Sequence, residues 1–393
     1  MFSSLSVLPT DSVLGLIRLH AEDPNPSKID LGVGVYRDAA GKSPIMAAVK
    51  EAEKRLVSHQ RSKTYFGSEG DPEFLASIIP LVFGEARLPA ERVVACQAVG
   101  GTGALRLAAT LAAFASSEPR IWIGVPTWPN HLPVLQSAGL KIQQYSYFDP
   151  STQSVQFELM KEALKQAKPG DLVLLHACCH NPTGADLTPE QWQEVADLLV
   201  ARKLLPLIDF AYAGFATSLA EDRRGIQTIL AQVPEALIAF SCSKTFGLYR
   251  ERTGALFVLA DSSKARAPIL SSLQVLARTV YSTPPDHGAA VVRTILNDPE
   301  LTAGWQGELR QARDRIANLR RELGRYGQVN RINFAALSKQ NGMFSLLPLT
   351  KDEVVRLRTG YSIYMAESGR INLAGLRTSD MEYFIHSISE VTA

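Results

Sequence analysis

Cysteine is scarce in this chain, with four residues among 393. Cys96, Cys178, Cys179 and Cys242 form no Cys-x-x-Cys pair, so neither a disulfide framework nor a two-knuckle zinc site is expected. An excess of charge of either sign is also missing. Lys and Arg number 41 against 39 Asp and Glu, a formal net charge of +2, too small to point to nucleic acid or a membrane surface as partner. Long apolar runs are absent too. The stretch 171–179 (DLVLLHACC) breaks well short of the roughly 18 apolar residues of a spanning helix. No basic segment followed by an apolar core opens the sequence, so a secretory signal is not expected. These absences lead to the expectation of a reduced, cytoplasmic protein.

The composition is that of a globular chain, 46% hydrophobic and 20% charged. Its length predicts one large domain or two coupled ones. Apolar runs at 92–96, 121–125, 171–177, 204–210, 237–241 and 254–260 read as buried strands. Helical patterns lie between them, such as Leu107, Leu111 and Phe114, or Trp192, Val195 and Leu199 after a Thr188–Pro189 start signal. Apolar strands alternating with helices predict an α/β fold, a mostly parallel sheet with helices on both faces. Ile316, Leu319 and Leu323 repeat at helical spacing inside a basic helix expected over 308–325, and shorter mixed signals follow. The large domain is therefore assigned to 41–309. An N-terminal arm (1–40) and a smaller α+β domain (310–393) make up the rest.

Four stretches carry chemistry. In Val99-Gly-Gly-Thr-Gly-Ala-Leu-Arg106 a strand runs through glycines into a helix. Free amides at a helix start favour an anion, but a plain tight turn fits as well. In the stretch 241–254 (SCSKTFGLYRERTG), Lys244 follows a buried strand, flanked by Ser241 and Ser243, with Arg252 eight residues on. A desolvated lysine has a lowered pKa, and its neutral amine attacks an aldehyde to give an imine. Ser241 and the arginine fork would then hold a phosphate; a solvated loop lysine is the bland alternative. Asp209 lies at the end of the strand 204–210, with Tyr212 three residues on. Such a carboxylate can keep a pyridinium nitrogen protonated or simply cap a helix. Finally, His176, Cys178, Cys179 and His180 precede an Asn-Pro-Thr-Gly turn. Adjacent cysteines chelate one ion poorly, so no metal is expected, and Asn181 is the more informative residue.

Ten stretches, in order along the chain, resemble the aspartate/aromatic amino acid aminotransferases, class I pyridoxal-phosphate enzymes of the type I fold. They are LGVGVYRD (31–38), KTYFGSEG (63–70), GGTGALR (100–106), PTWPNH (126–131), CCHNPTG (178–184), DFAYAGF (209–215), SCSKTFGLYRERTG (241–254), YSTPPDHGA (281–289), NGMFS (341–345) and SGRINLAGL (368–376). The resemblance implies pyridoxal 5'-phosphate as cofactor. Lys244 is similar to the lysine that holds it as a Schiff base and moves the proton between substrate and cofactor. Asp209 resembles the partner of the ring nitrogen, with His131 and His176 bracing it. Tyr212 and Asn181 resemble the pair at the ring's 3-oxygen, and Trp128 the aromatic plane stacked on the ring. Gly101, Thr102, Ser241 and Arg252 resemble the phosphate cup. Tyr65 is similar to a tyrosine that reaches the phosphate from a neighbouring subunit, so a homodimer with shared active sites is implied.

For substrate, Arg370 resembles the arginine that takes the α-carboxylate, Gly34 a glycine whose backbone meets the substrate, and Arg278 the arginine contributed across the interface to a distal carboxylate. Trp128 and Asn181 border the same space. The chain departs from the family pattern at Ala213, Thr245 and Thr283, which bears on substrate breadth. The implied activity is ping-pong transfer of an amino group between aspartate, tyrosine or phenylalanine and 2-oxoglutarate. The alternative is a β-lyase or decarboxylase using the same cofactor.

Overall fold

A computed structural model describes residues 12–84 and 90–393, together with Phe2 and Ser6. The rest of 1–11, within the expected N-terminal arm, lies outside the described residues. The centre is a seven-stranded sheet, built from β1 (Val93–Val99), β2 (Arg120–Val125), β3 (Lys141–Ser146), β4 (Leu172–His176), β5 (Leu205–Phe210), β6 (Ala236–Ser241) and β7 (Thr253–Leu259). Their order across the sheet is β1-β7-β6-β5-β4-β2-β3. All run parallel except β7, which is antiparallel to both its neighbours. The reason is length. The connection 242–252 is shorter than the dozen or more residues that a parallel crossover needs, so the chain turns back. The start of β7 is thereby brought to the sheet edge where the parallel strands end.

The inner strands are buried on both faces. Val173, Leu175, Ile208, Phe210, Ile238 and Phe240 pack into one core, while Leu172, Leu174, Leu207, Leu237 and Ala239 pack into the other. This two-residue alternation within continuous apolar runs is the pattern of a sheet covered on both sides. Helices α1 (Gly100–Ala115) and α3 (Arg266–Tyr281) cover the second face, and α2 (Pro189–Arg202) helps cover the first. Thr188 starts α2 with a full capping box, its hydroxyl accepting from the Gln191 amide at 3.2 Å.

The structure departs from the sequence expectations in three places. β3 reads Lys-Ile-Gln-Gln-Tyr-Ser, with only Tyr145 buried; as an edge strand it carries no apolar run. Phe114 lies on α1 but is exposed, so it does not belong to the packed face of Leu107. The basic helix begins at Pro299 rather than near 308 and runs to Gly324 as α4, with Asp298 capping it by accepting from the Leu301 amide at 2.9 Å. Gly304 and Gly307 blur its first turns in the sequence.

A third core gathers Ile29 and Leu31 with residues from Leu319 to Val391. α4 spans two cores: Leu301 to Ile316 pack with the sheet, and Leu319 and Leu323 with the third. We propose the division 41–309 against 1–40 and 310–393 on the strength of these cores. Two short strands, β8 (Phe344–Leu346) and β9 (Arg370–Asn372), pair antiparallel beside the sheet. Ile29–Asp30 pairs with Ile363–Tyr364. These pairings hold Gly32 next to Arg370 and Gly34 next to Phe344.

Candidate active site

Loops at the carboxyl ends of parallel strands form the crevice of an open α/β sheet, and the chemically suggestive residues lie there. β1 ends before Gly100, β4 at His176, β5 beside Asp209 and β6 at Ser241, while Arg252 precedes the reversed β7. Between them is a cavity of about 230 Å³. Its lining includes Gly101, Thr102, Trp128, Asn181, Asp209, Tyr212, Ser241, Lys244 and Arg252, all nine of the single-chain cofactor residues expected from the sequence.

At one end the amino terminus of α1 has no side-chain cap, so its first amides are free for an anion. Gly100 has φ 67, and a Cβ there would lie 2.3 Å from an Arg252 guanidinium nitrogen. Glycine thus admits the arginine against the helix start. Arg252 is held by bonds from Nη1 to the Ser243 hydroxyl (3.2 Å) and the Tyr249 carbonyl (3.1 Å). A cation, free amides and the Ser241 hydroxyl make this end a phosphate cradle.

At the other end Asp209 is buried, and His131 Nε2 bonds its Oδ2 at 3.0 Å. The Thr127 hydroxyl meets His131 Nδ1 at 2.8 Å. With Nε2 protonated, Nδ1 accepts from Thr127. Burial pushes the Asp209 carboxyl up, but the His131 bond and nearby positive charge hold it below its ordinary value. His176 does not brace Asp209 as expected. It makes no hydrogen bond to the carboxylate, packing instead with its ring centroid 5.1 Å from that of His131 and 4.1 Å from that of His180. Its Nε2 has no partner, and burial pushes its pKa down to about 3, so it is neutral.

Lys244 sits in a four-residue helix after β6, its Nζ 5.2 Å from the centre of the Tyr212 ring. Burial lowers its pKa against the raising effect of Asp209, and Arg252 and Arg370 lower it further. Asn181 Nδ2 reaches the Tyr212 hydroxyl at 3.4 Å, while Asn181 Oδ1 is buried without a partner. Arg370 is 7% exposed, with Nη2 donating to the Gly32 carbonyl at 2.9 Å. Its Nε has no partner, and no carboxylate pairs with it among the described residues. A buried guanidinium of this kind is stabilised by a carboxylate that pairs with it.

The cysteines and histidines of 176–180 do not converge. Burial raises both thiols, the Cys179 thiol to about 11. His180 is instead bonded to Thr183 at 2.9 Å and stacked on Tyr147. His131, His176 and Asp209 do come together, but His131 is committed to Asp209.

Four expected residues, Gly34, Arg370, Tyr65 and Arg278, do not line the cavity, and the last two lie at the surface. Tyr65 is 90% exposed, and Arg278 is exposed on α3. Both were assigned to the neighbouring subunit. The sequence reading also passed over Phe344, whose ring lies 4.7 Å from the Arg370 guanidinium and meets Tyr212 edge-on. Gly34 is small for this reason, since a Cβ there would be 3.2 Å from the Phe344 ring. Thr127 and Asp186 were missed as well. The quoted motifs contained Phe344 and Thr127, but only the fold reveals what they touch.

A phosphate cradle, a buried amine and a braced carboxylate around one cavity match the phosphate, aldehyde and ring nitrogen of pyridoxal phosphate. The Asn181 amide nitrogen and the Tyr212 hydroxyl, 3.4 Å apart, are the donors suited to its ring oxygen. This is the arrangement of a pyridoxal-phosphate enzyme of the type I fold.

The comparisons agree. The profile of the family "Aminotransferase class I and II" matches residues 26–388. The tyrosine aminotransferase of Rhizobium meliloti (strain 1021) is 51% identical over 97% of each chain. The aspartate aminotransferase of Escherichia coli (strain K12) is 43% identical over the whole of both. A solved aromatic-amino-acid aminotransferase from Burkholderia pseudomallei, covalently bound to pyridoxal phosphate, superposes with a TM-score of 0.94 at 39% identity over the whole of both chains. The chain belongs to the class I and II aminotransferase family, and is a pyridoxal-phosphate-dependent aminotransferase.

Proposed function

We propose that this enzyme moves amino groups between aspartate or an aromatic amino acid and 2-oxoglutarate in ping-pong fashion, with Lys244 as the residue that binds the cofactor and moves the proton. The observation that carries this reading is desolvated Lys244 lining one cavity with Asp209, Tyr212 and Arg252, with buried Arg370 near enough to lower its pKa. Bound pyridoxal phosphate supplies an electron sink for the substrate's α-carbon. Arg252, Ser241, Gly101 and Thr102 would hold its phosphate, the Asp209 carboxylate would keep the ring nitrogen protonated, and Trp128 would lie against the ring. Tyr212 and Asn181 hold the ring oxygen. Arg370, Asn181 and the backbone at Gly34 would hold the substrate's α-carboxylate, leaving Lys244 to move the α-proton. The lowered pKa of Lys244 favours the neutral amine, the form that acts as a base.

Arg278 and Tyr65 would complete the site from a second copy of the chain. The exposed Val275 and Val280 beside Arg278 on α3 support such a homodimer. The names of the relatives, covering both tyrosine and aspartate aminotransferases, support acidic and aromatic substrates together. Four free cysteines, and the lack of a described helix long and apolar enough to cross a membrane, support a cytoplasmic setting.

Lys244→Ala tests the mechanism. Turnover of glutamate with an aromatic oxo acid is expected to fall by more than about a thousandfold. Retention within about tenfold would contradict the assignment.

A further inference from the structure

The loop that presents Asn181 is held from behind by a carboxylate. Asp186 Oδ2 accepts from the Cys179 amide at 2.9 Å, and Oδ1 from the His180 amide at 2.8 Å. Cys179 adopts φ 53, a left-handed conformation that a non-glycine residue keeps only where its surroundings enforce it. Oδ2 also accepts from Asn341 Nδ2 at 3.0 Å. The Asn341 amide in turn donates to the Gly184 carbonyl at 2.7 Å.

The two segments are in close contact. A Cβ on Gly342 would lie 2.4 Å from Cys179 Cβ, and one on Gly184 would lie 2.4 Å from the Phe344 carbonyl. Residues 341–343 lead straight into β8, where Phe344 pairs with Asn372 and Leu346 with Arg370. The buried Arg320 fixes this segment further, donating from Nη2 to the Asn341, Gly342 and Phe344 carbonyls at 3.0, 2.8 and 2.6 Å. Asn181 and Arg370, 189 positions apart in the numbering, are thus connected through Asp186 and Asn341.

We propose that Asp186, acting through Asn341, is a positioning residue that sets the spacing between Asn181 and Arg370 for the substrate's α-carboxylate. The inference rests on the roles proposed above for those two residues. Asp186 does not line the cofactor cavity. It faces a separate cavity of about 330 Å³ on the other side of the loop, shared with Trp192, Thr217 and Asp222. It therefore acts on the carboxylate only through the segments it holds.

The test uses the holoenzyme and succinate, a dicarboxylate without an amino or oxo group, titrated by the change in visible absorbance and accompanied by thermal melting. Asn341→Ala removes the side-chain link and leaves the backbone bond to Gly184. It is expected to weaken succinate binding by about tenfold, the scale of one hydrogen bond to a charged group, and to add nothing once Asn181→Ala is present. Asn341→Ser, too short to reach Asp186, is a second variant expected to lose as much. Affinity within about twofold of the parent, or fully additive losses in the double variant, would overturn the proposal even if melting fell. Arg370→Ala separates the two readings. If it too left succinate affinity intact, the assignment of the carboxylate site would fail and the interlock with it. Losses at Arg370 and Asn181 with none at Asn341 would sink the interlock alone.

Discussion

The inner and outer parts of this site are built differently. The inner part, from Arg252 through Lys244 to Asp209, lines one cavity of a single chain, and its charged groups other than Lys244 have fixed neighbours. Asp209 has His131, His131 has Thr127, and Arg252 has Ser243 and the Tyr249 carbonyl. The outer part is more dispersed: Arg278 and Tyr65 are exposed on the surface of the chain, while Arg370 is buried beside Gly32. Chemistry that every substrate shares is assigned to the rigid part. Discrimination between substrates is assigned to the part that a second subunit supplies.

Variants in the two parts should therefore differ in kind. Asp209→Ala removes the charge at the ring nitrogen and should lower kcat by about a thousandfold for acidic and aromatic substrates alike; steady-state kinetics with aspartate and phenylalanine would show this. A loss confined to one substrate would break the comparison from the inner side. Arg278→Ala should lower kcat/KM for aspartate by about a hundredfold, because a distal carboxylate would be left buried and unpaired. Phenylalanine should stay within about threefold, its ring having no charge to lose. Equal losses would mean that Arg278 is structural rather than selective. Thr127→Val deletes one hydrogen bond to the His131 ring, and a kcat loss of about fivefold for both substrates is expected.

Much of the architecture was legible because buried parallel strands are continuous apolar runs. Six of the seven strands show that signal; Lys141–Ser146, at the edge with one buried side chain, does not. The start of α4 was obscured by Gly304 and Gly307, though Asp298–Pro299 is a clear initiation signal in retrospect. In the site, the legible residues are those whose own side chains carry the chemistry: Lys244, Asp209, Arg252 and Arg370. The ones passed over act through what they touch. Phe344 matters because it fills the space beside Gly34 under Arg370, and Asp186 because the chain returns at Asn341 to meet it. The role given to His176 failed for the same reason. Its place beside Asp209 follows from strand pairing, but the direction of its ring nitrogens does not.

The central claim is that Lys244, and no other lysine, carries pyridoxal phosphate. Borohydride reduction of the holoenzyme, followed by peptide mapping, tests it directly. The account predicts the phosphopyridoxyl mass on the peptide containing Lys244 and on no other. Labelling of a different lysine, with Lys244 unmodified, would contradict it.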